Sequence, residues 1–219
     1  MNRSSWDLTH EGPTEIPDAP NDNGRLNYGP VVVPGDYQLR LAVGEETYEQ
    51  PLKVLPDPRS DASMENLRAL NTFMLAVRDR ITAISEDAIR IRTIREQLDA
   101  HQSRLGDEPT AARLIELGKE ASAALREVEL LLYNPDEIMN YDILAGRHGG
   151  AKLYSRYGGL YWSSLDHSGP PTQGLTDVDA ELLVLYREAK DELERVLDED
   201  IAQINALAAE LGIDYVVDR

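Results

Sequence analysis

Apolar positions along the chain change period near residue 58. In Asp36-Tyr37-Gln38-Leu39-Arg40-Leu41-Ala42-Val43 every second side chain is apolar, which puts Tyr37, Leu39, Leu41 and Val43 on one face of a strand. The stretch from Thr47 to Leu55 alternates in the same way through Tyr48, Leu52 and Val54, and Gly44-Glu45-Glu46 between the two is short enough for a hairpin. Val31-Val32-Val33 before Pro34-Gly35 predicts a short strand, and Trp6-Asp7-Leu8 a further candidate. Pro13 to Gly24 reads as loop. Beyond Pro56-Asp57-Pro58 the steps become three and four. Leu67, Leu70, Met74, Val77, Ile81, Ile84, Ala88 and Ile91 predict a helix over 62–104, on the order of 60 Å long, with Asp61 or Ser63 as its cap and Gly106 past its end. Leu114, Leu117, Ala121, Ala124, Val128 and Leu131 predict a second helix over 109–133, stopped by Asn134-Pro135. A third, over 175–211, runs through Leu182, Tyr186, Ala189, Leu193, Leu197, Ile201, Ile204, Ala208 and Leu211, is closed by Gly212, and its two steps of four from Ala189 to Leu197 depart from a heptad.

The pattern therefore predicts an α+β chain: a small antiparallel β module at 1–58 and a bundle of three main helices at 59–219. Three or four strands fall short of the seven or so of an immunoglobulin-like sandwich, so the β module must lean on material outside its own span. Between the second and third helices, 134–173 forms an unusually long connection rich in tyrosine and glycine. Its Tyr154, Tyr157, Tyr161 and Trp162 have two readings. They cover the end of the bundle, or they present a surface to a ligand or partner.

Charge narrows the function classes. Forty acidic against 22 basic residues leave a net charge of −18, unsuited to binding a phosphate backbone. The charge is uneven: residues 59–107 carry eight acids and eight arginines, whereas 174–219 carry thirteen acids and four bases. Parallel first and third helices would let Arg90, Arg92 and Arg95 face that acidic run, although solvated faces without pairing are the plainer expectation. No apolar run approaches the roughly 18 residues of a membrane span, and the N-terminus shows no signal-peptide pattern. With no cysteine there are no disulfides, thiolate metal sites or thiol catalysis.

Motifs for chemistry are sparse. His10, His101, His148 and His167 lack the spacing that sets two ligands on one helix face, and His148 lies in a glycine-rich loop. No nucleophile elbow or phosphate loop occurs. Asn21-Asp22-Asn23-Gly24 has the start of a calcium loop without its later ligands, and Asn2-Arg3-Ser4 is a bare glycosylation triplet. These features predict no catalytic residue, metal or cofactor.

An ordered series of short motifs adds a resemblance. Asn2-Arg3-x-x-Trp6-Asp7-Leu8, Glu11-Gly12-Pro13, Gly29-Pro30-Val31-Val32-Val33-Pro34-Gly35-x-Tyr37-x-Leu39-x-Leu41, Tyr48-x-Gln50-Pro51-Leu52-x-Val54 and Asp57-Pro58-Arg59 follow one another over 1–59. Leu132-Tyr133-Asn134-Pro135, Lys152-Leu153-x-x-Arg156-x-x-Gly159-Leu160-Tyr161 and Gly169-x-Pro171-Thr172 extend the series. It resembles the C-terminal region of large bacterial β-propeller proteins of the glycosyl-hydrolase-like, BNR-repeat or sortilin-like kind. There the propeller is followed by an immunoglobulin-like module ending in such a hairpin, then by a helical tail. Nothing here repeats at the length of a propeller blade, Gly146 to Ala151 looks like an insertion, and Ser164-x-Asp166 lacks the spacing of an Asp-box. The resemblance implies a non-catalytic accessory or assembly region, because any hydrolytic centre would lie in the propeller. It also implies an upstream propeller or another protein chain as partner, in a family often exported by bacteria. The alternatives are a carbohydrate-binding part of a glycoside hydrolase, or a helical module that self-associates into a homo-oligomer through its apolar stripes.

Overall fold

The structure is a computed structural model that describes residues 3, 5–21, 26–106, 109–137, 139–165, 167, 169–215 and 217. Asn2-Arg3-Ser4, Asn21-Asp22-Asn23-Gly24 and Ser164-x-Asp166 each include positions outside the described residues. The fold is α+β, with two separate two-stranded antiparallel sheets and a helical bundle.

Helix α1 runs Met64–Leu105. The Ser63 hydroxyl accepts the Asn66 amide at 3.1 Å, and Gly106, with φ of +55°, ends it. A short 3₁₀ turn, Pro109–Ala111, leads into α2, Ala112–Leu132, which ends where Tyr133 turns extended ahead of Asn134-Pro135. Near the other end of the chain, α5 (Gln173–Arg195), a π-helical turn (Val196–Ile201) and α6 (Ala202–Leu211) form one continuous rod. Each step of four at about 100° per residue rotates the apolar stripe by about 40°. The wider π turn absorbs that drift, so Ala189, Leu193, Leu197 and Ile201 all stay buried. Gly212 closes the rod in the left-handed region at φ of +63°.

The connection at 134–173 is largely helical. It carries α3 (Asn140–Leu144) and α4 (Leu153–Leu165), and α4 packs against both α1 and α5. The bundle thus has a fourth wall where a loop was expected. Alongside it α1 and α5 run parallel, joined by Arg80–Asp179 at 2.8 Å, Lys190–Asp87 at 2.6 Å and Arg90–Glu194 at 3.4 Å. Arg92 and Arg95 do not face the acidic rod. They turn to α2, where the Glu129 carboxylate is buried among Arg95 (2.7 Å), Arg126 (3.0 Å) and Arg92 (3.6 Å). Tyr133 donates its hydroxyl proton to Glu129 at 2.6 Å and accepts from Arg92 at 2.7 Å. Burial and that carboxylate together hold the Tyr133 phenol well above its usual range.

The β segments divide in two. Strand β1 is Thr9–Glu11, three residues later than the Trp6-Asp7-Leu8 expectation, and it pairs with β2, Tyr28–Val31. Gly29 permits this crossing, because a Cβ there would collide with the His10 carbonyl. This ribbon and the segment joining its two strands strap the bundle: Ile16 and Leu26 enter its core, worth about 1.5–3 kcal/mol each. Arg92 donates to the Pro17 carbonyl (2.7 Å), Thr82 accepts the Thr14 amide (3.1 Å), and Tyr161 donates to the Tyr28 carbonyl (2.9 Å). The second ribbon, β3 (Gly35–Val43) with β4 (Glu46–Val54), pairs in register from Gly35↔Val54 to Val43↔Glu46 around Gly44, whose φ is +62°. It extends away from the helices.

Candidate functional site

That hairpin carries the most unusual surface of the molecule. Its register places Tyr37, Leu39, Leu41 and Val43 of β3 on the same face as Tyr48, Leu52 and Val54 of β4. The opposite face is polar, with Arg40 and Gln38 bound to Glu49 at 2.9 and 2.8 Å. Burial along the apolar face falls off with distance from the bundle. Val54 is buried at the base, whereas Leu39, Leu41, Val43 and Tyr48 are 50, 60, 58 and 54% exposed. A solvated sheet normally shows polar side chains on its open face; here Glu46 and Gln50 interrupt a face that is otherwise apolar, and beyond Tyr37, which Trp6 meets edge-on, it has no cover.

At the base the face runs into a cleft of about 360 Å³. The chain crosses from Val31 to Pro34 on one side, and β4 leaves toward Pro56 on the other. The first turns of α1 form the floor with Leu67, Leu70 and Met74. Polar groups at the rim are already engaged. Asn71 donates to the Val31 carbonyl at 2.7 Å, and Asp57 accepts from the Arg59 backbone and guanidinium, which hold its carboxyl below the usual carboxylate range. Ser60 accepts the Ala62 amide, and His167 Nε2 lies 2.8 Å from the Pro170 carbonyl. The cleft is therefore suited to apolar side chains rather than to a charged ligand.

The four aromatic residues singled out from the sequence do not converge on it. Tyr154, Tyr157 and Tyr161 are 2, 0 and 0% exposed and pack in the bundle core, because α4 turns that face toward α1 and α5. Burial pushes the Tyr157 phenol up to about 12, with Asp179 adding to the shift and Arg80 and Arg187 opposing it. Trp162 alone is open to solvent, at 43%, edge-on to Tyr28 with centroids 5.6 Å apart. Of these four rings, Trp162 is the one left accessible for a ligand to stack on. The cleft residues were missed because they come from separate stretches of the chain; the hairpin face itself was visible as the alternation of Tyr37, Leu39, Leu41 and Val43.

Among the described residues, no group of three His, Asp or Glu side chains is placed to hold a metal ion, and no helix is long and apolar enough to cross a membrane. Comparison with protein-family models, curated proteins and solved structures gives no match to this chain.

Proposed function

We propose that this chain is a non-catalytic docking and assembly element, in which the hairpin completes the sheet of an immunoglobulin-like module and the bundle serves as its rigid mount. One observation carries the reading: the uncovered apolar face of Leu39, Leu41, Val43 and Tyr48, continuous with an apolar cleft. Strands of a neighbouring β module are the occupant that fits. The hairpin has two strands of nine residues each, which is too little to be stable on its own in water. Its free edges offer backbone donors and acceptors to a further strand, the usual means of sheet extension. The motif series over 1–59 supports the same occupant through its resemblance to the end of such a module in glycosyl-hydrolase-like, BNR-repeat or sortilin-like propeller proteins. In that setting any glycan chemistry belongs to the propeller.

A photo-crosslinking amino acid at position 41, introduced into the protein in its own cells, tests this. The expected product joins position 41 to a peptide from a β-sandwich module, and it disappears when Tyr48 is replaced by Lys. Crosslinks only to a second copy of this chain, or none above background, overturn it.

A further inference from the structure

The two free edges of the hairpin are not equivalent. Its connection is a two-residue turn, Gly44-Glu45, in which Gly44 and not Glu45 has a positive φ. Such a turn makes the flanking residues, Val43 and Glu46, a hydrogen-bonded pair. Pairs along an antiparallel ladder then alternate between bonded and non-bonded. Counting from the turn, Leu41↔Tyr48, Leu39↔Gln50 and Tyr37↔Leu52 exchange backbone bonds inside the hairpin. Ala42↔Thr47, Arg40↔Glu49, Gln38↔Pro51 and Asp36↔Lys53 turn their backbone groups outward. Pro51 agrees with this count, since a residue without an N–H costs the ladder nothing where its nitrogen faces out.

Seen from outside, the strands differ. β3 offers the N–H and carbonyl of Asp36, Gln38, Arg40 and Ala42 without a gap. All four residues are exposed, and among the described residues no other backbone group pairs with them. β4 has no donor at Pro51, and the ring stands where an added strand would bring its carbonyl. Lys53 follows on the same edge. Proline and lysine are residues that close a sheet edge to further pairing. On the polar face, Gln38 and Arg40 both lean across to Glu49 of β4, which leaves the outer flank of β3 clear.

We propose that the neighbouring module adds its strand to β3, with β4 left as the outer edge of the joined sheet; this rests on the docking function proposed above and fixes its geometry. The occupant is one strand of that module with a period of two, apolar beside Leu39 and Leu41 and polar beside Gln38 and Arg40. The second sheet of the module then lies over Leu39, Leu41, Val43 and Tyr48.

The test sets two proline variants within one cross-strand pair. Arg40→Pro and Glu49→Pro each break the same Arg40–Glu49 ion pair and each keep the bonds between β3 and β4, so the chief difference is which edge loses a donor. In cells carrying the photo-crosslinking residue at position 41, Arg40→Pro is expected to lower the yield of the module crosslink about tenfold, the effect of a buried carbonyl left without its donor. Glu49→Pro should leave it within about twofold. A short diazirine side chain at position 42 or 47 gives a reading without proline: position 42 reaches the module and position 47 does not. If both prolines abolish the crosslink, positions 42 and 47 decide. No crosslink from position 41 in the wild type overturns the docking function and the β3 edge together. A yield kept in Arg40→Pro, a loss confined to Glu49→Pro, or a module crosslink from position 47 in place of 42 overturns the β3 edge and leaves the docking function standing.

Discussion

Replacing Gly118 by Ala should change sign with the identity of residue 215. Gly118 is buried in α2 where the C-terminal segment returns, and Tyr215 lies fully buried against it, stacked on His101 with centroids 4.2 Å apart. A Cβ on Gly118 would meet the Tyr215 hydroxyl oxygen at 2.5 Å, well inside contact distance, whereas Tyr215 Cζ lies at 3.8 Å. Overpacking of this kind costs about 1–3 kcal/mol, and the better helix propensity of Ala returns about 1 kcal/mol. In the natural background Gly118→Ala therefore destabilises by about 1 kcal/mol. The Tyr215 hydroxyl is buried without a hydrogen bond, so Tyr215→Phe alone is neutral or stabilises by about 1 kcal/mol. On that background the clash is gone, the new methyl finds ordinary contact, and Gly118→Ala stabilises by about 1 kcal/mol. Urea unfolding followed by helical circular dichroism on the four proteins gives the coupling directly, about 2 kcal/mol on this reasoning. An effect of Gly118→Ala that is the same in both backgrounds would refute the seating of Tyr215 on α2, and with it the closure of that end of the bundle by the Asn205–Val217 hydrogen bonds.

Other perturbations separate the buried charges from the surface. Glu129→Gln removes the buried carboxylate that Arg92, Arg95 and Arg126 share and should cost about 3 kcal/mol in urea unfolding, against under about 1 kcal/mol for Glu116→Gln in the exposed Arg113 pair. Leu41→Lys should leave the stability of the chain alone within about 0.5 kcal/mol, because the leucine is already in water. Burial lowers the affinity of Lys190 for its proton, but hydrogen bonds to Asp87 and Glu194 outweigh it, so its pKa in the folded protein lies above 10.5. A raised lysine value means that its contribution is complete below 10.5 and fades as pH climbs through the folded value. The melting difference between wild type and Lys190→Met should accordingly hold through neutral pH and shrink only in strong alkali.

The long helices were legible because their apolar steps continue for many turns, and Ser63, Gly106 and Gly212 mark their ends where the period stops. The departure at Ala189–Leu197 was legible as well, and its structural counterpart is the π turn just beyond. Helix α4 was hidden by composition. Leu153, Tyr154, Tyr157, Leu160 and Tyr161 hold helical spacing, yet Gly158-Gly159 within them and the glycines at 146, 149 and 150 before them read as loop. The orientation of the tyrosines followed from that helix and could not be read without it. The partners of Arg92 and Arg95 depended on how α2 meets α1, a relation no local pattern encodes. The strap likewise places Ile16 and Leu26 in the core through contacts with residues more than forty positions away. Alternation in the hairpin identified its apolar face. That the face stays uncovered is a property of the whole fold.

Residue-resolved hydrogen exchange on the purified chain tests the division between strap and hairpin most directly. Amides of α1 around Ile81–Ile91 should exchange only through global unfolding, and Val32, whose amide is bonded to the Leu8 carbonyl at 2.8 Å, should be protected with them. Amides from Leu39 to Val43 and from Glu46 to Gln50 should exchange through cheap local opening, orders of magnitude faster. Hairpin protection equal to that of α1 would contradict the account, since a face already covered has no need of another module's strands.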